Sequence, residues 1–211
     1  MGVIKKYAFR SNLPVQESQV TFNAAQLIPN TSFYKESIST QYDAQNGLPS
    51  QVITSGGNKT AFVYDYDNNA VAAEVSGAGQ TDITYTSFED GSGNWLISSQ
   101  ARDNSKAITG TKSYNLSKGN ISKSGLDASK TSLCTFWASS GSNVSIAGAQ
   151  TPRQLSSING WNLLFYTITG INKVVLSGTG LVDELRLYPQ GSQMSTKTYR
   201  PLTGVTSVIT N

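Results

Sequence analysis

The chain has 211 residues, a formal net charge of +3, 37% hydrophobic residues and 14% charged residues, which suits one large or two modest folded domains rather than a disordered chain. It contains no His and a single Cys, Cys134, so imidazole-based triads, zinc chemistry and disulfides within the chain are excluded. Its basic residues are scattered, and no apolar segment approaches the ~20 residues of a membrane helix, so neither nucleic acid nor a membrane is an expected partner.

The first 85 residues alternate short apolar or β-branched runs with turn formers. Runs at 7–9, 19–22, 51–54, 61–64 and 70–75 have the length of strands, and only 23–27 and 152–155 are compatible with short helical turns. Sequences such as Asn46-Gly47 supply the positive φ that hairpin turns require. The region is therefore predicted to be a ribbon of β-hairpins.

The sequence pattern changes after residue 85, where a polar, turn-rich loop occupies residues 90–94. Short β-type runs then follow at 111–116, 131–138, 143–147, 161–169, 173–176 and 181–188. Their length and their Gly-, Ser- and Asn-rich connections favour a sandwich or jelly roll over a parallel α/β sheet. In the last run, Leu185 and Leu187 share a core-facing side, and Glu184 and Arg186 share the opposite side.

One short motif recurs in the chain. Tyr42-Asp43, Tyr64-Asp65-Tyr66-Asp67 and Tyr199-Arg200 each place an aromatic residue and a polar turn former ahead of Gly or Asn and a β-rich run. This order is typical of a strand, tight turn and strand. The acids are expected to accept hydrogen bonds within the turns, and the tyrosines to stack along the ribbon.

These motifs resemble the tyrosine-aspartate repeats of bacterial RHS/YD-repeat proteins. The stretch that opens with Tyr85-Thr86-Ser87-Phe88-Glu89 and closes with Val182 to Pro189 resembles the galactose-binding-like jelly rolls of carbohydrate-binding modules. The resemblance implies an all-β protein in which a β-sandwich or jelly roll (86–189) is inserted into a YD-repeat hairpin scaffold (1–85 and 190–211). Tyr199-Arg200 departs from the repeat, since Arg replaces the usual Asp.

The resemblance also implies a secreted or cell-surface protein of bacteria, with the remainder of a larger repeat protein as its partner. The first residues lack the long apolar core of a signal peptide, so an export signal is expected outside this stretch, and the stretch itself is interpreted as an excised segment.

Acidic residues lie at both ends of the expected insert. Glu89 and Asp90 are at its start and Asp183 and Glu184 at its end, and the first and last strands of a jelly roll are commonly neighbours. Galactose-binding-like modules often hold a structural calcium ion near this position, and Ca²⁺ prefers carboxylate and carbonyl oxygens. Glu89, Asp90 and Asp183 are therefore the candidate calcium ligands. The alternative is that these acids cap turns or pair with Arg186 at the surface.

Aromatic residues supply the candidate ligand-binding positions. Trp95, Trp137 and Tyr114 are the candidates to stack on the face of a sugar, and packing in the core is the alternative for Trp95 and Trp137. Trp161 and Cys134 are expected to be buried. The predicted function is a non-catalytic extracellular module that binds carbohydrate. A purely structural shell or docking segment is the alternative. A glycoside hydrolase is less favoured, because no acid lies in a recognisable catalytic motif and no catalytic residue is proposed.

Overall fold

A computed structural model describes residues 2–16, 22–23, 28–29, 32–200 and 202–210. These residues form β-strands and three short 3-10 turns at Gln80–Asp82, Ser99–Ala101 and Leu116–Lys118. The all-β prediction is confirmed. In this part of the chain, no helix combines the length and the apolar character needed to cross a membrane. The chain divides into two compact units, Met1–Thr60 and Ala61–Asn211, and both predicted domain boundaries fall inside the second unit.

The strands of the first unit are β1 (Gly2–Phe9), β2 (Phe22–Asn23), β3 (Ile28–Pro29), β4 (Tyr34–Tyr42) and β5 (Pro49–Thr54). The unit contains an antiparallel sheet of β1, β4 and β5 and a separate two-stranded sheet of β2 and β3. Strand β4 pairs with β1 on one side and with β5 on the other, and β2 pairs with β3. The predicted strand at 19–22 and helical turn at 23–27 lie outside the described residues except for Phe22 and Asn23.

The second unit contains the remaining strands, except that the first two residues of β6 (Lys59–Asp65) belong to the first unit. The remaining strands are β6, β7 (Ala70–Ser76), β8 (Thr84–Thr86), β9 (Arg102–Asp103), β10 (Ser113–Asn115), β11 (Ile121–Ser124), β12 (Ser132–Ser139), β13 (Asn143–Ile146), β14 (Arg153–Ile158), β15 (Trp161–Ile168), β16 (Lys173–Thr179), β17 (Leu181–Pro189), β18 (Gln193–Arg200) and β19 (Gly204–Thr210). Residues 152–155, which are compatible with a helical turn by sequence, lie mostly in β14 instead, and β14 pairs with β15.

One sheet of this unit has the order β6-β7-β18-β19. Strand β7 pairs antiparallel with β18, and Ser76 lies opposite Gln193. The chain therefore leaves the sheet at residue 76 and returns beside the same strand at residue 193. Residues 77–192 connect two adjacent strands, which is the topology of an insertion.

The connecting segment forms two antiparallel sheets. The larger has the order β14-β15-β12-β17-β10-β9, with β8 also paired to β17, and the smaller has the order β11-β16-β13. Buried residues from both sheets, among them Phe136, Tyr166, Leu176 and Leu187, form a single hydrophobic core. Two sheets that share one core are the arrangement of a β-sandwich.

Strand β17 is covered on both faces. Leu185 and Leu187 belong to the sandwich core, whereas Tyr188 belongs to a second core that is rich in alanine and includes residues of β6, β7 and β18. As a result Glu184 is only 2% exposed and Arg186 only 6% exposed. The expectation that such acids pair with Arg186 at the surface is wrong, since this ion pair is buried.

Glycine positions in the sandwich give a test of this packing. Gly178 (φ +135°) has no space for a Cβ atom, which would overlap the carbonyl oxygen of Asn143 on the paired strand β13. Gly141 also has a positive φ (+84°), but no atom lies within 4 Å of the Cβ position. We expect Gly178→Ala to lower the free energy of unfolding by about 3 kcal/mol and Gly141→Ala by about 1 kcal/mol, measured by urea denaturation. Equal losses would contradict the close β13–β16 pairing.

Candidate functional site

A cleft with a cavity volume of about 490 Å³ lies in the second unit. It is bounded by the β6–β7 turn, by the ends of β18 and β19, and by two loops of the sandwich. The lining residues are Tyr66, Asp67, Glu89, Asp90, Gly110, Thr111, Lys112, Tyr199, Arg200 and Thr206. We call it the tyrosine cleft, because two of the repeated tyrosine motifs meet there.

The two tyrosines are held in place by each other and by the backbone. Their ring centroids lie 5.5 Å apart at an interplanar angle of 76°. The Tyr66 hydroxyl accepts a hydrogen bond from the backbone N–H of Tyr199 (2.9 Å), and the Tyr199 hydroxyl donates to the carbonyl oxygen of Val71 (3.0 Å). Tyr66 also begins a run of three residues with positive φ, a backbone conformation that is uncommon for residues other than Gly. The side chain of Tyr66 therefore leaves the β6–β7 turn from a left-handed backbone position.

The acids of the repeats accept hydrogen bonds in their turns, as predicted. Oδ1 of Asp65 accepts from the backbone N–H of Tyr66 (2.6 Å) and of Gly91 (2.5 Å), so it joins the hairpin to the sandwich loop. In the first unit, Oδ1 of Asp43 accepts from the N–H groups of Gln45 and Asn46. Burial raises the pKa of Asp65, and the nearby charge of Asp90 adds to this shift.

Glu89 ties together the two sandwich loops that form one wall of the cleft. Its Oε1 accepts from the backbone N–H groups of Thr111 and Lys112, both at 2.7 Å, and its Oε2 accepts from the Thr111 hydroxyl at 2.8 Å. A Cβ atom at Gly110 would overlap this carboxylate. Both oxygens of Glu89 are thus engaged by the protein itself.

The backbone of the same loop faces side-chain cations. Arg102 donates from Nε to the carbonyl oxygen of Phe88 (2.8 Å) and from Nη2 to those of Asp90 and Gly91. Lys112 donates from Nζ to the carbonyl oxygen of Glu89. Phe88 has a φ of +62°. Four consecutive carbonyl groups, from residue 88 to residue 91, therefore point toward positive charge.

Asp183 lies in the interior and is not part of the cleft lining. Its Oδ2 accepts from the N–H groups of Ile108 (2.9 Å) and Thr109 (3.2 Å), and its Oδ1 accepts from the N–H of Glu184 (2.7 Å). Burial, followed by the charge of Glu184, raises the pKa of Asp183 well above its usual range.

The structure therefore separates the candidate calcium ligands. Glu89 and Asp90 lie at the cleft, whereas Asp183 is buried beneath the 108–109 segment. Within the described ranges, no three acidic or Cys side chains are grouped so that they could hold a metal ion. The oxygen atoms of the loop instead have protein donors. A calcium ion bound to these carbonyl oxygens would have to displace the side chains of Arg102 and Lys112.

The candidate stacking residues have different surroundings. Trp95 is 3% exposed and Tyr114 is fully buried, and both belong to the sandwich core, so neither offers a ring face to a sugar. Trp137 is half-buried on β12, opposite Leu163 of β15. Trp161 is buried, as expected, with the Lys106 ammonium 5.5 Å from its ring centroid. Burial likewise raises the pKa of the Cys134 thiol, which is a packing residue.

The sequence singles out part of the cleft lining, namely the tyrosine motifs as structural elements and Glu89 and Asp90 as metal ligands. It gives no signal for Gly110, Thr111, Lys112 or Thr206, which complete the lining. Tyr66 and Tyr199 become neighbours only because β7 pairs with β18 across the insertion. The available signal was the recurrence of the motif on either side of the predicted insert.

Comparison with known proteins assigns no family. No family model matches the chain, and no curated protein matches it significantly.

The buried carboxyl of Asp65 gives a test of the junction below the cleft. Because its folded-state pKa is raised, the folded protein binds this proton more tightly than the unfolded chain, and stability is lost as the pH rises through the folded-state pKa. Asp65→Asn retains an Oδ1 acceptor for both N–H groups and removes this ionisation. We expect the stability of the variant relative to wild type to increase between about pH 3 and pH 7, measured by denaturant unfolding. A constant or decreasing difference would contradict the buried position of this carboxyl.

Proposed function

We propose that the chain is a non-catalytic, carbohydrate-binding segment of a larger secreted or surface repeat protein, and that sugar binds in the tyrosine cleft. One observation carries the proposal: a single cavity of about 490 Å³ combines two tyrosine rings with three carboxylates and two cationic side chains. Such a mixture of ring surface and hydrogen-bonding groups suits a polyhydroxylated ligand.

The polar groups of the cleft have complementary roles toward a sugar. Asp67 and Asp90 are exposed and adjacent, since the backbone N–H of Asp67 donates to Oδ2 of Asp90 at 3.1 Å. Their carboxylates accept hydrogen bonds from hydroxyl groups, and the exposed guanidinium of Arg200 donates to ring or hydroxyl oxygens. Tyr66 and Tyr199 supply apolar surface for C–H groups. The excess of carboxylates over cations favours neutral over acidic glycans.

The same geometry argues for binding rather than hydrolysis. Both carboxylate oxygens of Glu89 are held by Thr111 and Lys112, so proton transfer by this residue would break the junction between the loops. Asp183 is buried away from the cleft. The two-carboxylate mechanism of a glycosidase then depends on Asp67 and Asp90 alone, and both are exposed.

A structural role is the second candidate. It is supported by the pairing of β7 with β18, which makes residues 77–192 an insertion between two adjacent strands of one sheet. It is also supported by β19, a strand at the end of its sheet whose sequence, GVTSVIT, carries no charge to oppose further strand pairing. In this alternative the segment belongs to the wall of a larger repeat protein, and the tyrosine cleft has no ligand.

Calorimetric titration with a panel of neutral and acidic oligosaccharides tests the proposal. We expect at least one neutral oligosaccharide to bind, and Asp67→Asn and Arg200→Ala each to weaken it about tenfold or more, because each removes a charge-assisted hydrogen bond. Glu74→Gln and Arg153→Ala are matched controls, since both residues are exposed and lie outside the cleft lining. These controls should bind as wild type does.

Trp137→Ala separates the tyrosine cleft from the outer face of β12. The proposal predicts unchanged affinity for this variant. Loss of binding only in Trp137→Ala would transfer the site to that face. If no oligosaccharide binds a folded wild-type chain, the structural role takes the place of carbohydrate binding.

A further inference from the structure

The loop of residues 88–91 has the oxygen-rich form that a hard cation prefers. The four successive carbonyl oxygens accept hydrogen bonds from Arg102 and Lys112. The loop also carries the carboxylates of Glu89 and Asp90, and the backbone N–H of Gly91 donates to Asp65. An array of carbonyl and carboxylate oxygens is what Ca²⁺ takes as ligands. In this chain, however, the array is already occupied by cations of the protein.

Arg102 is the central cation. Its guanidinium contacts three of the four carbonyl oxygens, those of residues 88, 90 and 91. The planar fork of Arg presents several N–H donors in fixed directions, which allows one side chain to satisfy diverging acceptors. Its own backbone is fixed, since Arg102 lies in β9 opposite Tyr114 of β10, whose ring is in the sandwich core.

Lys112 completes the set from the other side. Its ammonium donates to the remaining carbonyl, that of Glu89, and its backbone N–H donates to the carboxylate of the same residue. Lys112 therefore joins the 110–112 loop to the 88–91 loop through both its backbone and its side chain. Arg102 and Lys112 together supply positive charge where a bound metal ion would otherwise be needed.

We propose that Arg102 is a built-in cation that positions the 88–91 loop, and with it the wall of the tyrosine cleft, without a divalent metal ion. Arg102 is a positioning residue, because it holds Asp90 and Gly91 through their carbonyl groups and is not itself in the cleft lining. The consequence for binding rests on the proposed function. The positioning role does not, and it is tested without any sugar.

The test compares thermal unfolding and peptide-level hydrogen exchange in excess CaCl₂ and in EDTA for four proteins: wild type, Arg102→Met, Arg102→Lys and the control Arg153→Met. Arg153 is an exposed Arg of β14 whose guanidinium lies 5.5 Å from the ring centroid of Phe165. We expect the Tm of wild type to be the same in calcium and in EDTA. Arg102→Met should lower the Tm by about 4 °C or more and speed exchange in residues 86–94, whereas Arg153→Met should do neither.

Arg102→Lys should show an intermediate effect, because an ammonium restores the charge but not the fork. The proposal is overturned if calcium raises the Tm of wild type, or if exchange in residues 86–94 is equally slow in wild type and in Arg102→Met. If Arg102→Met does not fold, two measurements still test the proposal. They are the Tm of wild type in calcium and in EDTA, and the hydrogen exchange of residues 86–94 in Arg102→Lys. Failure of sugar binding alongside these results would overturn the proposed function and leave the role of Arg102 intact.

Discussion

The tyrosine cleft depends on the hydrogen bonds that hold one of its loops, residues 88–91, in place. The four consecutive carbonyl oxygens of residues 88–91 lie in a loop between β8 and β9, and carbonyl oxygens that are shielded from water need hydrogen-bond donors. Arg102 and Lys112 supply these donors, and Asp65 accepts the N–H of Gly91 from the opposite side. The loop is fixed between a cationic and an anionic side chain. The position of Asp90 at the cleft follows from this arrangement.

The second constraint is the pairing of β7 with β18, which returns the chain to the sheet that it left. This pairing places Tyr199 next to Tyr66, and the same sheet brings Asp65 to the sandwich loop. The cleft thus has one wall from the hairpins and one wall from the inserted sandwich. Neither the hairpins nor the sandwich would form the proposed binding site by itself.

Many of the strands could be predicted from the local sequence pattern, whereas the arrangement of the tyrosine cleft could not. The short β-type runs at 51–54, 131–138 and 161–169 correspond to β5, β12 and β15, because alternation and turn residues act over a few positions. Strand β14 is not predicted by the sequence, since its polar segment RQLSSI is exposed along its whole length and shows no clear period.

Burial on both faces was the harder feature to predict. The alternation in β17 suggested a solvent face for Glu184 and Arg186, but the second core covers that face, and the two charges are paired inside the protein. Trp95 and Tyr114 have aromatic rings of the kind that stack on sugars, but in the structure these rings are buried in the sandwich core. In each case the burial of the side chain depends on which sheets pack against each other. A short stretch of sequence carries no information about that packing.

The most direct measurement is amide exchange by NMR at Gly91, Thr111 and Lys112 in the wild-type chain, with calcium removed. The backbone N–H of each donates to a carboxylate oxygen of Asp65 or Glu89, and each is held in place by the contacts described above. We expect all three amides to be protected without metal, and we expect added calcium to change the exchange rate of none of them. Rapid exchange that becomes slow on addition of calcium would contradict this expectation.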